Sequence, residues 1–230
     1  MLSNSSAEAT SEVLEEYYRE LESFSLAPLW QGQETALIPE PVSKASPYIW
    51  HWRDLEPRAL RAGELIGTAD AERRVLMLLN PSIKDRIATT NSLFSGLQIV
   101  MPGEAAKAHR HTPSALRFII NSDGGYTTVN GDRIPMEPGD LILTPNWTWH
   151  DHGNDGDEPG IWIDGLDFPL VRFLDAVIKQ DTDAPKQNTD RSGTADRRFG
   201  TSGLVPAWKT DDDIERSSLI HYRWETTEAA

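Results

Sequence analysis

The sequence predicts a mainly β domain, either a sandwich or a barrel, that follows an N-terminal helical arm. Short β-rich runs succeed one another over residues 71–180, with Gly, Pro, Asn and Asp between them. These runs are Val75–Leu79, Leu97–Met101, Leu116–Ile120, Tyr126–Val129, Leu141–Leu143 and Ile161–Ile163. The pair Asn130 and Gly131 lies between Tyr126–Val129 and Arg133–Met136, which predicts a hairpin with a tight turn.

The helical arm is predicted over residues 1–70. Apolar residues recur there at helical spacing: Val13, Leu14, Tyr17, Tyr18, Leu21 and Phe24. We expect the polar residues before Ser11 to be frayed and Ser11 to cap this helix. A second helix is predicted from Asp54 or Glu56 to about Leu65.

Residues 181–230 form a third zone. The zone is polar up to about residue 203, which predicts a linker or a segment that follows the surface. Apolar residues then return: Leu204, Val205, Pro206, Trp208, Leu219, Ile220, Tyr222 and Trp224. They are too sparse for a separate core, so we expect them to pack on the β domain or on a part outside this chain.

The composition excludes several classes of function. The 230 residues include 22 basic and 36 acidic side chains, a net charge of -14, which disfavours nucleic acid and anionic membranes as partners. The absence of cysteine excludes disulfides, thiolate metal sites and a cysteine nucleophile. No apolar run approaches the roughly 18 to 20 residues of a membrane span, and the N-terminus lacks the pattern of a secretory signal. We therefore expect a cytoplasmic protein.

Four of the six histidines form two His-x-His pairs, His109 with His111 and His150 with His152. On a strand, residues two apart lie on the same face, so each pair points in one direction. If the two segments lie close together, three imidazoles can converge on a divalent ion such as Fe, Zn, Ni or Mn.

Two motifs surround these histidines. Residues 103–111 contain Gly, five residues and His-Arg-His; residues 139–154 contain Gly, five residues, Pro, four residues, His, three residues and Asn. Together they resemble the two motifs of the cupin superfamily, whose jelly-roll barrel (a double-stranded β-helix) holds a metal in its mouth. The pattern differs in that Trp147 stands where many cupins have glycine. The glutamate that usually follows the first pair is also absent, since Ala115 and Leu116 occupy its positions.

The resemblance implies that residues 71–180 are a metal-binding cupin domain. With no carboxylate available, the implied ligands are His109, His111 and His150. Such a site retains open positions for oxygen ligands, which suits an anionic chelating substrate together with dioxygen.

Three longer segments narrow the resemblance: HRHTPSALRFII, GDLILTPNWTWHDHGN and WIDGLDFPLV. They are similar to the gentisate 1,2-dioxygenase family and its relatives that act on salicylate and 1-hydroxy-2-naphthoate. The resemblance implies Fe(II), dioxygen as co-substrate, a homo-oligomer, and cleavage of a hydroxy-substituted aromatic acid, first of all gentisate, between its carboxyl- and hydroxyl-bearing carbons. Family members continue into a second cupin, so residues 181–230 would be a linker and the start of a missing second cupin region.

The family pattern also implies roles for further residues. Arg117 would bind the substrate carboxylate, with Arg73 as a second candidate and Arg74 as a weaker one. His152 would manage the hydroxyl proton. Asp164 would bond a ring hydroxyl or orient a histidine.

Other residues are candidates for the pocket wall. Gly96 and Gln98 lie on a strand that should line the pocket, where Gly96 leaves room for a flat ring. Phe94, Trp147 and Trp162 could supply apolar walls. The two remaining histidines, His51 and His221, are expected to be structural.

Two other functions are compatible with the sequence. One is a metal-binding cupin without oxygenase activity, such as an isomerase or a small-molecule sensor, and the other is a metal-free interaction domain.

Overall fold

Two compact units make up the chain in its computed structural model, Met1–Ser43 and Lys44–Ala230. The structure describes residues 4–68, 70–184, 186–199 and 220–228. Over these residues, no helix combines the length and the apolar character that crossing a membrane requires.

The first unit contains two helices, α1 (Asn4–Ser23) and α2 (Leu29–Ala36). The predicted N-terminal helix is thus present, but it begins earlier than expected. Ser11 lies inside it and is not its cap, because the alanines and glutamate before Ser11 favour helix. The sequence did not predict α2. Within this unit the indole Nε1 of Trp30 donates to the hydroxyl of Tyr18 at 3.3 Å.

The second unit is built on two antiparallel sheets, which confirms the prediction of a mainly β fold. Its strands are β1 (Arg74–Met77), β2 (Phe94–Val100), β3 (Ala105–His111), β4 (Ala115–Asn121), β5 (Gly125–Val129), β6 (Asp132–Pro135), β7 (Leu141–Thr144), β8 (His150–Asn154), β9 (Gly160–Leu166), β10 (Lys179–Asp181) and β11 (His221–Tyr222). The six-stranded sheet has the order β1-β2-β9-β4-β7-β11, and the five-stranded sheet has the order β10-β3-β8-β5-β6. Every β-rich run predicted from sequence overlaps one of these strands.

Strand β4 shows how the sheets enclose a core. Ala115, Arg117 and Ile119 are buried, while Leu116 and Phe118 between them are exposed. This alternation is the period of a strand with one face inward. Inward residues of both sheets form the main apolar cluster together with Met136, Ala195 and Ile220, which lie outside the strands. The sheet residues of this cluster are Val100, Ile119, Val129, Ile134, Ile142 and Trp162.

The predicted hairpin joins β5 to β6. Asn130 and Gly131 at its tip have φ angles of 48° and 82°. Positive φ at both positions is the requirement of a type I′ turn, and Asn-Gly satisfies it with little strain.

Helix α3 (Trp52–Leu65) packs on β2 within the second unit, although the sequence assigned it to the arm. It begins two residues before Asp54, the earlier of the two predicted starts. Nη1 of Arg74 donates to the carbonyl of Ile66 at 2.7 Å, just beyond the last turn. A cation at this end is favourable because the carbonyls of the last turn are unpaired.

The third zone follows the barrel surface where it is described. Strand β10 pairs with β3, and β11 pairs with β7. The short helix α4 (Phe168–Phe173) precedes β10, α5 (Thr194–Phe199) lies between β10 and β11, and α6 (Trp224–Thr227) follows β11. Ile220 is buried in the main core, as expected for an apolar residue of this zone. Tyr222 lies on β11, and Trp224 is exposed. The remaining predicted apolar positions lie outside the described residues, namely Leu204, Val205, Pro206, Trp208 and Leu219.

Candidate metal centre

Three histidines converge at one end of the barrel. His109 and His111 lie on β3, and His150 lies on the neighbouring strand β8, directly opposite His109 in the register. One ring nitrogen from each of the three lies within 4.8 Å of the others. The two His-x-His segments therefore do come together, which was the condition for the predicted site.

Backbone carbonyls orient two of these rings. Nδ1 of His111 lies 2.7 Å from the carbonyl oxygen of Pro113, and Nδ1 of His150 lies 2.9 Å from that of Thr148. A carbonyl only accepts, so each Nδ1 carries the hydrogen and each Nε2 has a free lone pair. Burial lowers the pKa of both histidines, which keeps them neutral as a metal ligand must be.

The third ring, His109, has a different partner. Nη2 of Arg73 lies 2.5 Å from Nδ1 of His109, and a guanidinium can only donate. Burial and then the charge of Arg73 lower the pKa of His109 to about 2. A neutral imidazole has one free lone pair, and here Nδ1 uses it to accept from Arg73, so Nε2 carries the hydrogen. Arg73 must therefore move away from Nδ1 before Nε2 of His109 can bind a cation.

Over the described residues, no carboxylate joins the three histidines in a ligand cluster. Ala115 lines the cavity at the position where many cupins have glutamate, and Leu116 points to the outer face. Three neutral imidazoles suit a borderline divalent ion, so the donor set fits such an ion.

The histidines face a cavity of about 270 Å³. This volume is close to the lower end of small-molecule sites, roughly 300–1,000 Å³. Of the residues singled out from sequence, the cavity is lined by Arg73, Phe94, Gln98, His109, His111, Arg117, His150, His152 and Asp164. Val75, Met77 and Leu166 add an apolar side that the sequence did not identify.

Gly96 and Trp162 lie behind the cavity wall. A Cβ on Gly96 would lie 2.5 Å from a methyl carbon of Val75, so this glycine makes room for wall residues. Trp162 is fully buried in the core, and its ring centroid lies 5.5 Å from that of His152. Its indole Nε1 donates to Oδ1 of Asp164 at 3.1 Å.

A buried ion pair faces the histidines across the cavity. Nε of Arg117 lies 3.5 Å from Oδ1 of Asp164, and Nη1 of Arg117 donates to the hydroxyl of Thr144. Burial raises the pKa of Asp164 to about 6, against the opposing effect of Arg117. Burial also lowers the pKa of Arg117, but a guanidinium remains charged in proteins.

His152 lies beside the three converging histidines, with its ring centroid 5.8 Å from that of His150. Burial and then Arg117 place its pKa well below the ordinary value, so the ring is neutral. Two buried nitrogen atoms of the cavity have no hydrogen-bond partner among the described residues, namely Nδ1 of His152 and Nε2 of Gln98. Buried polar atoms are normally paired, so these two are available to a bound molecule.

Other candidates lie away from the cavity. Arg74 forms an ion pair with Glu104 behind the barrel wall. Trp147 stacks on Arg110 at the surface. His51 is exposed, and His221 is buried between two carboxylates.

Comparison with known proteins agrees with this geometry. The family model of the cupin domain matches residues 96–166, the stretch that contains all three histidines. The chain therefore contains a cupin domain. Its two sheets and its histidine site are those that the sequence motifs predicted.

The similarity extends well beyond the cupin domain. A gentisate 1,2-dioxygenase of Ralstonia sp. is 40% identical over 94% of this chain and 61% of that protein. A 1-hydroxy-2-naphthoate 1,2-dioxygenase of Nocardioides sp. is 35% identical over 96% of the chain and 58% of that protein. The resemblance to this group of dioxygenases is confirmed.

Solved structures give the same result. The salicylate 1,2-dioxygenase from Pseudoaminobacter salicylatoxidans, solved with gentisate, superposes with a TM-score of 0.81 at 35% identity, over 94% of this chain and 60% of that one. The chain spans about three fifths of the length of the relatives it matches.

Proposed function

We propose that this cupin domain is the metal-bearing part of a dioxygenase that cleaves the ring of a hydroxy-substituted aromatic acid. One observation carries the proposal: three neutral histidines without a carboxylate ligand face a cavity that also contains the buried Arg117. Such a cavity combines a site for a divalent ion with a fixed positive charge for an organic anion. The similarity to dioxygenases named for such acids supports it.

We propose Fe(II) as the metal, held by His109, His111 and His150, with dioxygen as the second substrate. Bound there, Fe(II) would supply the one-electron and oxygen chemistry that protein side chains lack.

The remaining cavity residues would bind and orient the aromatic acid. Arg117 is immobilised by Thr144 and Asp164, so its guanidinium can neutralise the substrate carboxylate without reorganisation. Arg73 can add a second positive charge, since cation binding at His109 requires it to leave Nδ1. Neutral His152 can hold the proton of the substrate hydroxyl at its unpaired Nδ1.

Gentisate is the proposed substrate, because the first relative above carries that name and a similar structure binds it. Salicylate and 1-hydroxy-2-naphthoate are the alternatives. The apolar side of the cavity decides how large a ring can enter.

The test is oxygen consumption by anaerobically iron-reconstituted protein, with the three acids supplied in parallel. We expect uptake with at least one acid, and its loss in His111→Ala. His51→Ala, which changes an exposed histidine, is the matched control and should retain the activity. Stoichiometric binding of another metal with no oxygen uptake for any acid would instead indicate an isomerase or a sensor.

We further propose that the protein is a homo-oligomer, as the family resemblance implies. Light scattering on the purified chain measures its mass directly, and a mass of 25.7 kDa would reject this. The cytoplasmic location stays a prediction from composition.

A further inference from the structure

The loop between β7 and β8, residues 145–149, contacts both histidine segments. The backbone N–H of Trp147 donates to the carbonyl of His111 at 2.9 Å. The carbonyl of Thr148 accepts from Nδ1 of His150 at 2.9 Å. The side-chain amide of Asn146 donates to the carbonyl of Thr112, one residue before the carbonyl that orients His111. The loop therefore contacts the ring of His150 directly and the backbone of the segment that contains His111.

The loop adopts a backbone conformation that its sequence disfavours. Trp147 has a φ of 59°, in the left-handed region that bulky residues seldom occupy. Such a conformation persists only where surrounding contacts maintain it.

Arg110 adds side-chain contacts to the hydrogen bonds that hold this loop. It lies on β3 between His109 and His111, so its side chain points to the opposite face from theirs. Its guanidinium carbon lies 4.4 Å from the ring centroid of Trp147 and 4.8 Å from that of Trp149.

A hydrogen-bonded pair completes this arrangement on the neighbouring strand β10. Nε and Nη2 of Arg110 both donate to Oε1 of Gln180, at 2.9 and 2.7 Å. A planar guanidinium can stack on aromatic rings and donate in its plane at the same time, which lysine cannot do. We name Arg110, Trp147, Trp149 and Gln180 the Arg110 clamp.

We infer that the Arg110 clamp is a positioning device for the metal site, in which Arg110 acts through the 145–149 loop on His111 and His150. The inference rests on the proposed metal site. Arg110 does not line the cavity and is not a catalytic residue; it sets how well two ligands are oriented. Partners that orient metal ligands typically change metal affinity or activity by roughly 10–100-fold when removed.

A second stacked arginine provides a matched control. Arg133 on β6 lies 3.7 Å from the ring centroid of Tyr126 and 2.5 Å from Asp155. It belongs to the same sheet and also combines a stacking contact with an in-plane acceptor, but it does not contact the 145–149 loop.

The experiment titrates Co(II), as a spectroscopic probe, into wild type, Arg110→Gln, Arg110→Lys and Arg133→Gln. We expect Arg110→Gln to weaken Co(II) binding roughly 10–100-fold and to alter the visible Co(II) spectrum. Arg110→Lys should restore part of the affinity, and Arg133→Gln should bind as wild type does. Urea unfolding of the metal-free proteins measures the purely structural cost of each change.

Three results would overturn the inference. Binding by Arg110→Gln within about twofold of wild type, or equal weakening by Arg133→Gln, would show that Arg110 does not position the ligands. Absence of Co(II) binding by folded wild type would overturn the metal site itself and the clamp with it. If Arg110→Gln does not fold, Trp147→Gly takes its place, since glycine keeps the positive φ while one stacking face is removed; wild-type affinity in that variant would equally overturn the clamp.

Discussion

At the scale of single residues, the cavity is defined by buried charge. Arg117 and Asp164 are 3% and 6% exposed, and their separation of 3.5 Å leaves Nε of Arg117 without a well-formed hydrogen bond. Burying such a pair costs desolvation energy that mutual attraction only partly offsets. A bound carboxylate would satisfy the guanidinium, so the same feature that is unfavourable for folding favours substrate binding.

Arg117→Lys tests this role. We expect the KM for the aromatic acid to rise about 10–100-fold, because hydrogen bonds to charged groups contribute about 1.5–3 kcal/mol and lysine lacks the planar fork. Steady-state oxygen uptake measures the effect. Arg133→Lys, a change of the same kind outside the cavity, should leave the KM unchanged, and an unchanged KM in Arg117→Lys would contradict the assignment.

Asp164→Asn tests the buried carboxylate through the pH dependence of stability. The pKa of Asp164 is raised from 3.8 to about 6, so its folded form binds the proton more tightly than its unfolded form. Its contribution to stability is therefore fully present below pH 3.8 and lost as the pH rises through about 6. We therefore compare the free energy of unfolding of metal-free Asp164→Asn with that of metal-free wild type. The difference, variant minus wild type, should increase by up to about 3 kcal/mol as the pH rises over this range. Urea unfolding at several pH values measures it, and a constant difference would refute the shift.

At the scale of elements, a buried histidine attaches the last strand to the barrel. Nε2 of His221 lies 2.7 Å from Oδ2 of Asp140, and its Nδ1 lies 2.8 Å from Oδ1 of Asp196. Ionised carboxylates only accept, so this geometry favours an imidazolium that donates on both sides. Burial lowers the pKa of His221, but the two carboxylates outweigh burial and raise it. Strand β11 is only two residues long, and these ion pairs add to its pairing with β7.

His221→Gln tests the attachment. Because the folded pKa of His221 is raised, its stabilisation is complete below the unfolded pKa of 6.5 and is lost as the pH rises through the folded pKa. We expect the variant to lose about 3 kcal/mol at pH 6 and less at pH 9. Chemical unfolding at both pH values measures the loss, and His51→Gln is the exposed control. An equal loss at both pH values would show that the charge of His221 does not matter.

At the scale of the whole molecule, the three histidines proposed as ligands come from two strands that are about 40 residues apart along the chain. The site exists only when the barrel is closed, so a metal that binds it must stabilise the folded chain. The same closure brings four imidazoles close to the charged Arg73 and Arg117. These charges disfavour protonation of the imidazoles and lower their pKa values.

Metal loading should therefore raise the free energy of unfolding. At a free metal concentration of 100 times Kd, the expected gain is about 2.7 kcal/mol. Thermal or urea unfolding with and without Co(II) measures it, and His109→Ala should show little or no gain. A gain of the same size in His109→Ala would place the stabilising metal elsewhere.

The sequence by itself determined the class of fold and the three histidines that converge on the cavity. Strand period and turn residues are local properties, so the β-rich runs and the Asn130–Gly131 turn were predictable from neighbouring residues. The His-x-His pairs share a face for the same reason, and the motif spacing identified the cupin domain. The sequence did not predict helix α2, the start of α1 or the bounds of the polar strands β3 and β8, because their apolar patterns are weak.

Only the tertiary structure decided what each of these residues faces. Strand register places Trp162 and Gly96 behind the wall and brings Val75 to the cavity, although nothing in their local sequence distinguishes them. The partners of Arg117, Arg110 and His221 come from strands or helices more than 20 residues away in the chain. Such contacts depend on how the two sheets close on each other, and closure is a property of the whole barrel that no local pattern contains.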